Sequence, residues 1–145
     1  MSEDSGQIEL DGDVIRYTSS TYSAWTIRVE DVRIIGEATN QNGPFADDYF
    51  LCFATGPAMW HEASFYAAGR DPFLAALGAR LGVTLQLDLT SSADFASRIL
   101  WPLELADMPM FKYEDVRPKT IVGRMIGSMQ NKQTYSDFVL AALNK

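Results

Sequence analysis

The sequence predicts an α+β protein dominated by antiparallel sheet, and three observations point there. Segments with period-two apolar alternation recur through the first two thirds of the chain. Turn-forming residues separate them at short intervals. Only two segments carry helical periodicity, one about 71–81 and one about 135–143.

Taken in order, Met1–Gly6 is a polar start, and Ile8–Tyr17 reads as a hairpin with Asp11-Gly12 at its turn. With that turn, Leu10 pairs with Asp13 and Ile8 with Ile15. Ile8, Leu10, Ile15 and Tyr17 then share a face. Tyr22–Val29 alternates, with Trp25, Ile27 and Val29 on one face and Thr26 and Arg28 on the other. Glu30-Asp31 interrupts, and Val32–Thr39 resumes with β-branched residues. Asn40–Asp47 has loop composition. Asp48–Thr55 is apolar on both faces, which predicts a central strand covered on both sides. Gly56-Pro57 turns the chain, and Trp60–Ala67 returns as the antiparallel partner.

The mid-chain helix has Asp71 as its expected N-cap, Pro72 in its first turn and Gly82 in the left-handed position after its end. Leu74, Leu77 and Leu81 form one apolar stripe. Arg70 beside the free amides of a helix start suggests an anion site. An Asp71 cap would satisfy those amides, so a structural plug on the sheet is expected instead. Val83–Leu89 alternates most cleanly of all and reads as a strand. Ser91–Ala96 is a turn or short helical piece. Ser97–Trp101 is a further strand stopped by Pro102, and Met108–Tyr113 another, with Pro109 favouring an edge. Ile121–Met129 is apolar but broken by Gly123 and Gly127. Tyr135, Phe138, Val139, Ala142 and Leu143 make an amphipathic helix, with Thr134 and Asp137 spaced as a capping box.

The length of 145 residues suits one domain, with a β-rich body over 7–115 and a basic C-terminal segment over 116–145 whose helix packs on that body. Net charge is −7, unevenly placed. Met1–Asp115 carries 7 basic and 18 acidic side chains, whereas Val116–Lys145 carries 5 and 1. An acidic body disfavours nucleic acid and anionic membranes as partners, because both are polyanions. A single cysteine excludes an intramolecular disulfide. There is no apolar run near the ~20 residues that span a bilayer and no secretory h-region after the start, so a cytoplasmic, soluble protein is expected.

Chemistry-bearing residues are sparse. His61 is the only histidine and is followed by Glu62; on a strand the two point to opposite faces. Cys52 lies one hairpin arm away. These three are the candidates for an enzymatic site. The alternative is a buried structural thiol beside a partly exposed imidazole. No metal is expected, since one Cys and one His leave only carboxylates, and Asp47-Asp48 reads as a solvated acidic turn without calcium-loop spacing. Glu9, Asp11, Asp13, Glu30, Asp31 and Glu37 are available as paired carboxylates, though several sit beside turns. Two segments combine bulky apolar groups with proline: Leu100-Trp101-Pro102-Leu103 and Met108-Pro109-Met110-Phe111. Such segments line grooves and oligomer interfaces, or pack as ordinary core; both readings stand on sequence alone.

The hairpin, the strand Ala24-Trp25-Thr26-Ile27-Arg28-Val29-Glu30-Asp31-Val32-Arg33-Ile34-Ile35, two further strands and the helix Asp71–Leu81 resemble bacterial pleckstrin-homology-like proteins over about Gln7–Gly82. The resemblance implies a partly open barrel plugged by a helix, with no general catalytic activity and no cofactor. It also has departures. Such domains place their helix last, after seven strands; here five or six precede it and 63 residues follow. Phosphoinositide-binding members use Lys or Arg in the first loop, where this chain has Asp11-Gly12-Asp13, which argues against that ligand.

Two functions follow as expectations. The leading one is a non-enzymatic protein- or peptide-interaction module, self-associating or not. It would act through an open sheet edge or through Trp101, Pro102, Met108, Met110 and Phe111. The other is a small enzyme or small-molecule binder with a cavity between sheet and helix, using Cys52, His61 and Glu62.

Overall fold

A computed structural model describes residues 5–40, 47–89, 96–115 and 131–144. The chain is α+β with antiparallel strand pairing, as the alternation predicts. Among the described residues, its strands form three sheets and no closed barrel. β1 (Gln7–Asp11), β2 (Val14–Thr18) and β3 (Trp25–Arg28) make the first sheet. The second is ordered β6-β5-β4-β7, from β4 (Ile34–Thr39), β5 (Tyr49–Gly56), β6 (Met59–Ser64) and β7 (Ala96–Trp101). A two-stranded ribbon, β8 (Phe111–Asp115) with β9 (Asn131–Tyr135), is the third. Among the described residues, the helices are α1 (Arg70–Leu81) and α2 (Asp137–Leu143). No helix among the described residues is long and apolar enough to cross a membrane.

The four-stranded sheet is central because β5 is apolar on both faces. Leu51 and Phe53 join Ile8, Ile15, Tyr17, Ile35, Phe73 and Leu77 in one cluster, under the first sheet and α1. Cys52 and Ala54 face the other way, into a second cluster with Ile99, Met110, Phe111, Tyr135 and Val139. Each large side chain buried here contributes about 1.5–3 kcal/mol relative to exposure. The layers are thus first sheet with α1, central sheet, then ribbon with α2.

The first hairpin differs from expectation by a register shift of two. Ile8 opposes Tyr17 and Leu10 opposes Ile15, so the turn residues are Gly12 and Asp13. Gly12 adopts φ +61°, and a two-residue loop with Gly in its first position is the II′ arrangement that matches strand twist. An even shift leaves every side chain on its expected face, and Ile8, Ile15 and Tyr17 are buried.

Helix α1 begins one residue before the expected start, and Asp71 does not cap it. The N-cap is Gly69, in the left-handed region and without a side-chain bond, and its carbonyl accepts the Phe73 N–H at 3.0 Å. Asp71 instead pairs with Arg70 at 3.0 Å. The helix start is tied to β1: the Ile8 N–H donates to the Ala68 carbonyl at 3.0 Å and the Ala68 N–H to the Gly6 carbonyl at 2.8 Å. Gly82 takes its expected left-handed position, and the Val83 N–H reaches back to the Gly78 carbonyl at 2.9 Å in a Schellman motif.

That motif turns Val83–Leu89 back across the helix, and this segment is not a strand. Its alternation is nevertheless real: Leu85 is buried and Val83 and Leu87 pack on the first cluster, while Thr84, Gln86 and Asp88 face solvent. Period two describes an extended chain lying on a surface, with or without a ladder. The segment lies so close that a Cβ on Gly78 would sit 2.6 Å from the Val83 carbonyl oxygen. Gly78→Ala should therefore lower stability by about 1–3 kcal/mol in urea unfolding, despite the ~1 kcal/mol that alanine gains over glycine inside a helix.

The last expected elements shift in a similar way. The β8 strand starts at Phe111 rather than Met108. Thr134 and Tyr135 belong to β9, so no capping box forms; α2 is capped at Ser136, whose hydroxyl donates to the Pro109 carbonyl at 3.0 Å. Arg33 closes the other end of α2, donating to the carbonyls of Leu143 and, at 2.8 Å, Ala142, where a cation complements the helix dipole. The expected loop within Asn40–Asp47, the turn at Ser91–Ala96 and the apolar Ile121–Met129 fall wholly or largely outside the described residues, as do the basic side chains between Val116 and Met129.

Candidate functional site

Strand β6 is an edge of the central sheet. The Phe65 N–H donates to the Tyr49 carbonyl at 2.8 Å, so odd-numbered residues of β6 bond to β5. Trp60, Glu62 and Ser64 consequently aim their backbone groups outward. The Ser64 carbonyl accepts the Ala67 N–H at 3.1 Å, and the Glu62 carbonyl accepts the Trp25 indole N–H at 2.7 Å. Among the described residues, the N–H and carbonyl of Trp60 and the N–H of Glu62 have no hydrogen-bond partner.

This open stretch borders a groove of about 560 Å³ whose walls include Tyr22, Trp25, Phe50, Met59, Trp60 and His61. The walls are held from behind. Trp25 packs on Phe53 and on His61, each at 5.4 Å between ring centroids. Trp60 lies against Phe111 at 4.6 Å and Tyr135 at 5.0 Å, and its indole N–H donates to the Glu62 carboxylate at 2.7 Å. Tyr22 meets Phe50 edge-on at 5.6 Å. Burial pushes the His61 imidazole below its ordinary value. Met59, 55% exposed, forms the rim.

Two other edges, those of β7 and β3, differ. On β7, the Ile99 N–H donates to the Met108 carbonyl at 2.8 Å and the Ile99 carbonyl accepts the Asp107 N–H at 2.9 Å, so a loop covers that edge. The β3 edge is bordered by Arg28, Glu30, Asp31 and Arg33, a charged margin of the kind that keeps strands apart.

The sequence-derived residues are distributed unevenly around this site. Cys52 opposes Glu62 across the β5–β6 ladder, so the two share a face; His61 opposes Phe53 and projects to the other face. Cys52 and His61 are therefore not brought together. Burial, with the Glu62 charge next, pushes the Cys52 thiol well above its ordinary value, which fits a structural thiol. Met110 and Phe111 lie in the second cluster and Trp101 packs partly on the first. Met108 at 38% and Leu103 at 67% exposure are outliers on a segment whose other bulky groups point inward. Met110 and Phe111 thus fill core and the loop at Asp107 and Met108 covers the β7 edge, while Pro102 and Leu105 line a small cleft of about 240 Å³ with Arg33 and Leu143.

Two acids are buried, and one of them, Asp47, was expected in a solvated turn. Asp47 accepts hydroxyl bonds from Ser5 at 2.7 Å and Ser64 at 2.6 Å, so it is not part of a solvated turn. Glu37 is fully buried on β4. Its carboxylate accepts the Tyr49 hydroxyl, the Asp88 and Leu89 N–H groups at 3.1 and 3.0 Å, and Arg98 at 2.5 Å. Burial first, then that carboxylate, raises the Tyr49 phenol strongly. This acid anchors the Val83–Leu89 segment to the sheet, in place of strand pairing.

A second cleft, of about 550 Å³, runs between α1 and the Val83–Leu87 segment. Arg70 lies in it, 3.9 Å over the Phe65 ring, with its donors directed to Asp71 and the Phe65 carbonyl. The β6 groove was missed on sequence because Tyr22 and Trp25 meet β6 only through tertiary folding, and edge position is not encoded locally. The one legible signal was Met59-Trp60-His61-Glu62, a strand with large groups on both faces. Comparison with family models, curated proteins and solved structures found no match to this chain.

Proposed function

We propose that the protein is a non-enzymatic interaction module that takes an extended segment of a protein partner along β6. The observation that carries this reading is the open N–H and carbonyl of Trp60 and the open N–H of Glu62, among the described residues, inside an aromatic groove. Main-chain bonds to an edge supply affinity in such docking, and pockets for alternate side chains supply selectivity. Tyr22, Trp25, Phe50 and Trp60 are rigid, amphipathic groups of the kind that dominate binding energy. A pleckstrin-homology-like ancestry over Gln7–Gly82 and a cytoplasmic setting belong to the same proposal.

The test exploits strand parity. The Glu62 N–H points away from β5, so Glu62→Pro deletes an outward donor without removing a ladder bond. Dodecapeptides selected from a random display library on the wild-type chain should bind Glu62→Pro at least tenfold more weakly, while Glu62→Gln and Leu103→Ser still bind them. Unchanged thermal unfolding of Glu62→Pro would establish that its fold is intact. Selected peptides that bind Glu62→Pro as well as wild type would exclude docking along β6.

A further inference from the structure

Glu62 is set apart from most charged groups of the body. Arg16 pairs with Glu9 and Asp11, Arg80 with Asp13, Arg28 with Glu30, and Arg98 with Glu37 and Asp107. Among the described residues, Glu62 has no cationic partner, and its one side-chain bond is to the Trp60 indole. No Lys or Arg is among the described residues that line its groove. The His61 imidazole, which burial disfavours in its charged form, projects to the opposite face of β6 from the carboxylate. Two indoles flank the acid, each donating its N–H to Glu62: Trp60 to the carboxylate and Trp25 to the backbone carbonyl, both at 2.7 Å. Each indole also has a π-face that attracts cations.

We infer that the groove selects extended partner segments carrying a Lys or Arg side chain, seated between the Glu62 carboxylate and the Trp25 and Trp60 rings. This rests on the docking mode proposed above and names its partner class. Charge complementarity decides the occupant. A segment with a cation gains both the ion pair and the aromatic contact, whereas a second copy of this chain brings a body with 18 acidic and 7 basic side chains toward an acidic groove. The adjacent outward N–H of Glu62 fixes the backbone of the guest beside the acid, so one residue position of the segment carries the preference.

The experiment uses three blocked nonapeptides of alternating Thr and Val that differ only at the centre: Lys, norleucine or Glu. Binding is followed through the backbone amide resonances of Trp60 and Glu62 in the full chain. The Lys peptide should bind at least threefold more tightly than norleucine, and norleucine more tightly than Glu. In Glu62→Gln the ratio of Lys to norleucine affinity should fall to about one. Equal binding of all three peptides, or a Lys preference that survives Glu62→Gln, would overturn the cation subsite and leave edge docking in place. No response of these amides to any peptide would overturn both. Resonances of Trp60 and Glu62 that shift with protein concentration alone would overturn the occupant in favour of self-pairing.

Discussion

Replacing Arg98 with methionine should lower the unfolding free energy by about 3–5 kcal/mol, measured by urea denaturation, because it strands a charge in the core. Glu37 has no solvent exposure, and the Arg98 guanidinium is the one cation bonded to it among the described residues. The remaining donors, the Tyr49 hydroxyl and the amides of Asp88 and Leu89, are neutral. They hold the carboxylate in place without neutralising it. Methionine keeps much of the aliphatic length of arginine, so loss of charge rather than of volume dominates. A Glu37→Leu, Arg98→Met pair should recover part of the loss. Recovery stays incomplete because the Asp88 and Leu89 N–H groups then lack their acceptor. A single-variant loss below 1 kcal/mol would show that the carboxylate is not stranded in the core without Arg98.

Phe111→Ala should cost about 3–5 kcal/mol, the range for emptying a buried aromatic site. Phe111 is buried, stacks with Tyr135 at 5.8 Å and lies 4.6 Å from Trp60. Its backbone N–H also accepts a place in the β7 edge, donating to the Ser97 hydroxyl at 3.0 Å. The loss should appear in stability, with edge docking weakened only through a loosened Trp60. Were Phe111 part of an exposed groove instead, alanine would weaken binding while leaving unfolding nearly unchanged.

These two residues also show where the sequence was readable. The alternation of Asp48–Thr55 revealed a two-faced central strand, because apolar groups at both parities require cover on both sides. The leucine stripe and Gly82 located α1, since helix period and C-terminal glycine chemistry are local. Val83–Leu89 was misread as a strand because alternation reports only that one side of an extended chain is buried. What pairs with its backbone, here Glu37 at a separation of more than 50 residues, is not written in it. Glu37 itself read only as one of six available carboxylates, because its partners come from β5, β7 and the segment after α1. Phe111 and Met110 left groove and core both open, and the ribbon with α2 decided for core. The β6 groove depended on which strand ended the sheet and on where Tyr22 and Trp25 folded back, neither of which is a local property.

Amide hydrogen exchange at single-residue resolution, with and without a bound library-selected peptide, tests edge docking most directly. Docking along β6 predicts that the Trp60 and Glu62 amides, open in the free protein, become protected by at least tenfold in the complex, with Thr84 and Gln86 beside α1 unchanged. Protection that appears at Thr84–Leu87 or on the Thr26–Arg28 edge, and not at Trp60 and Glu62, would contradict it.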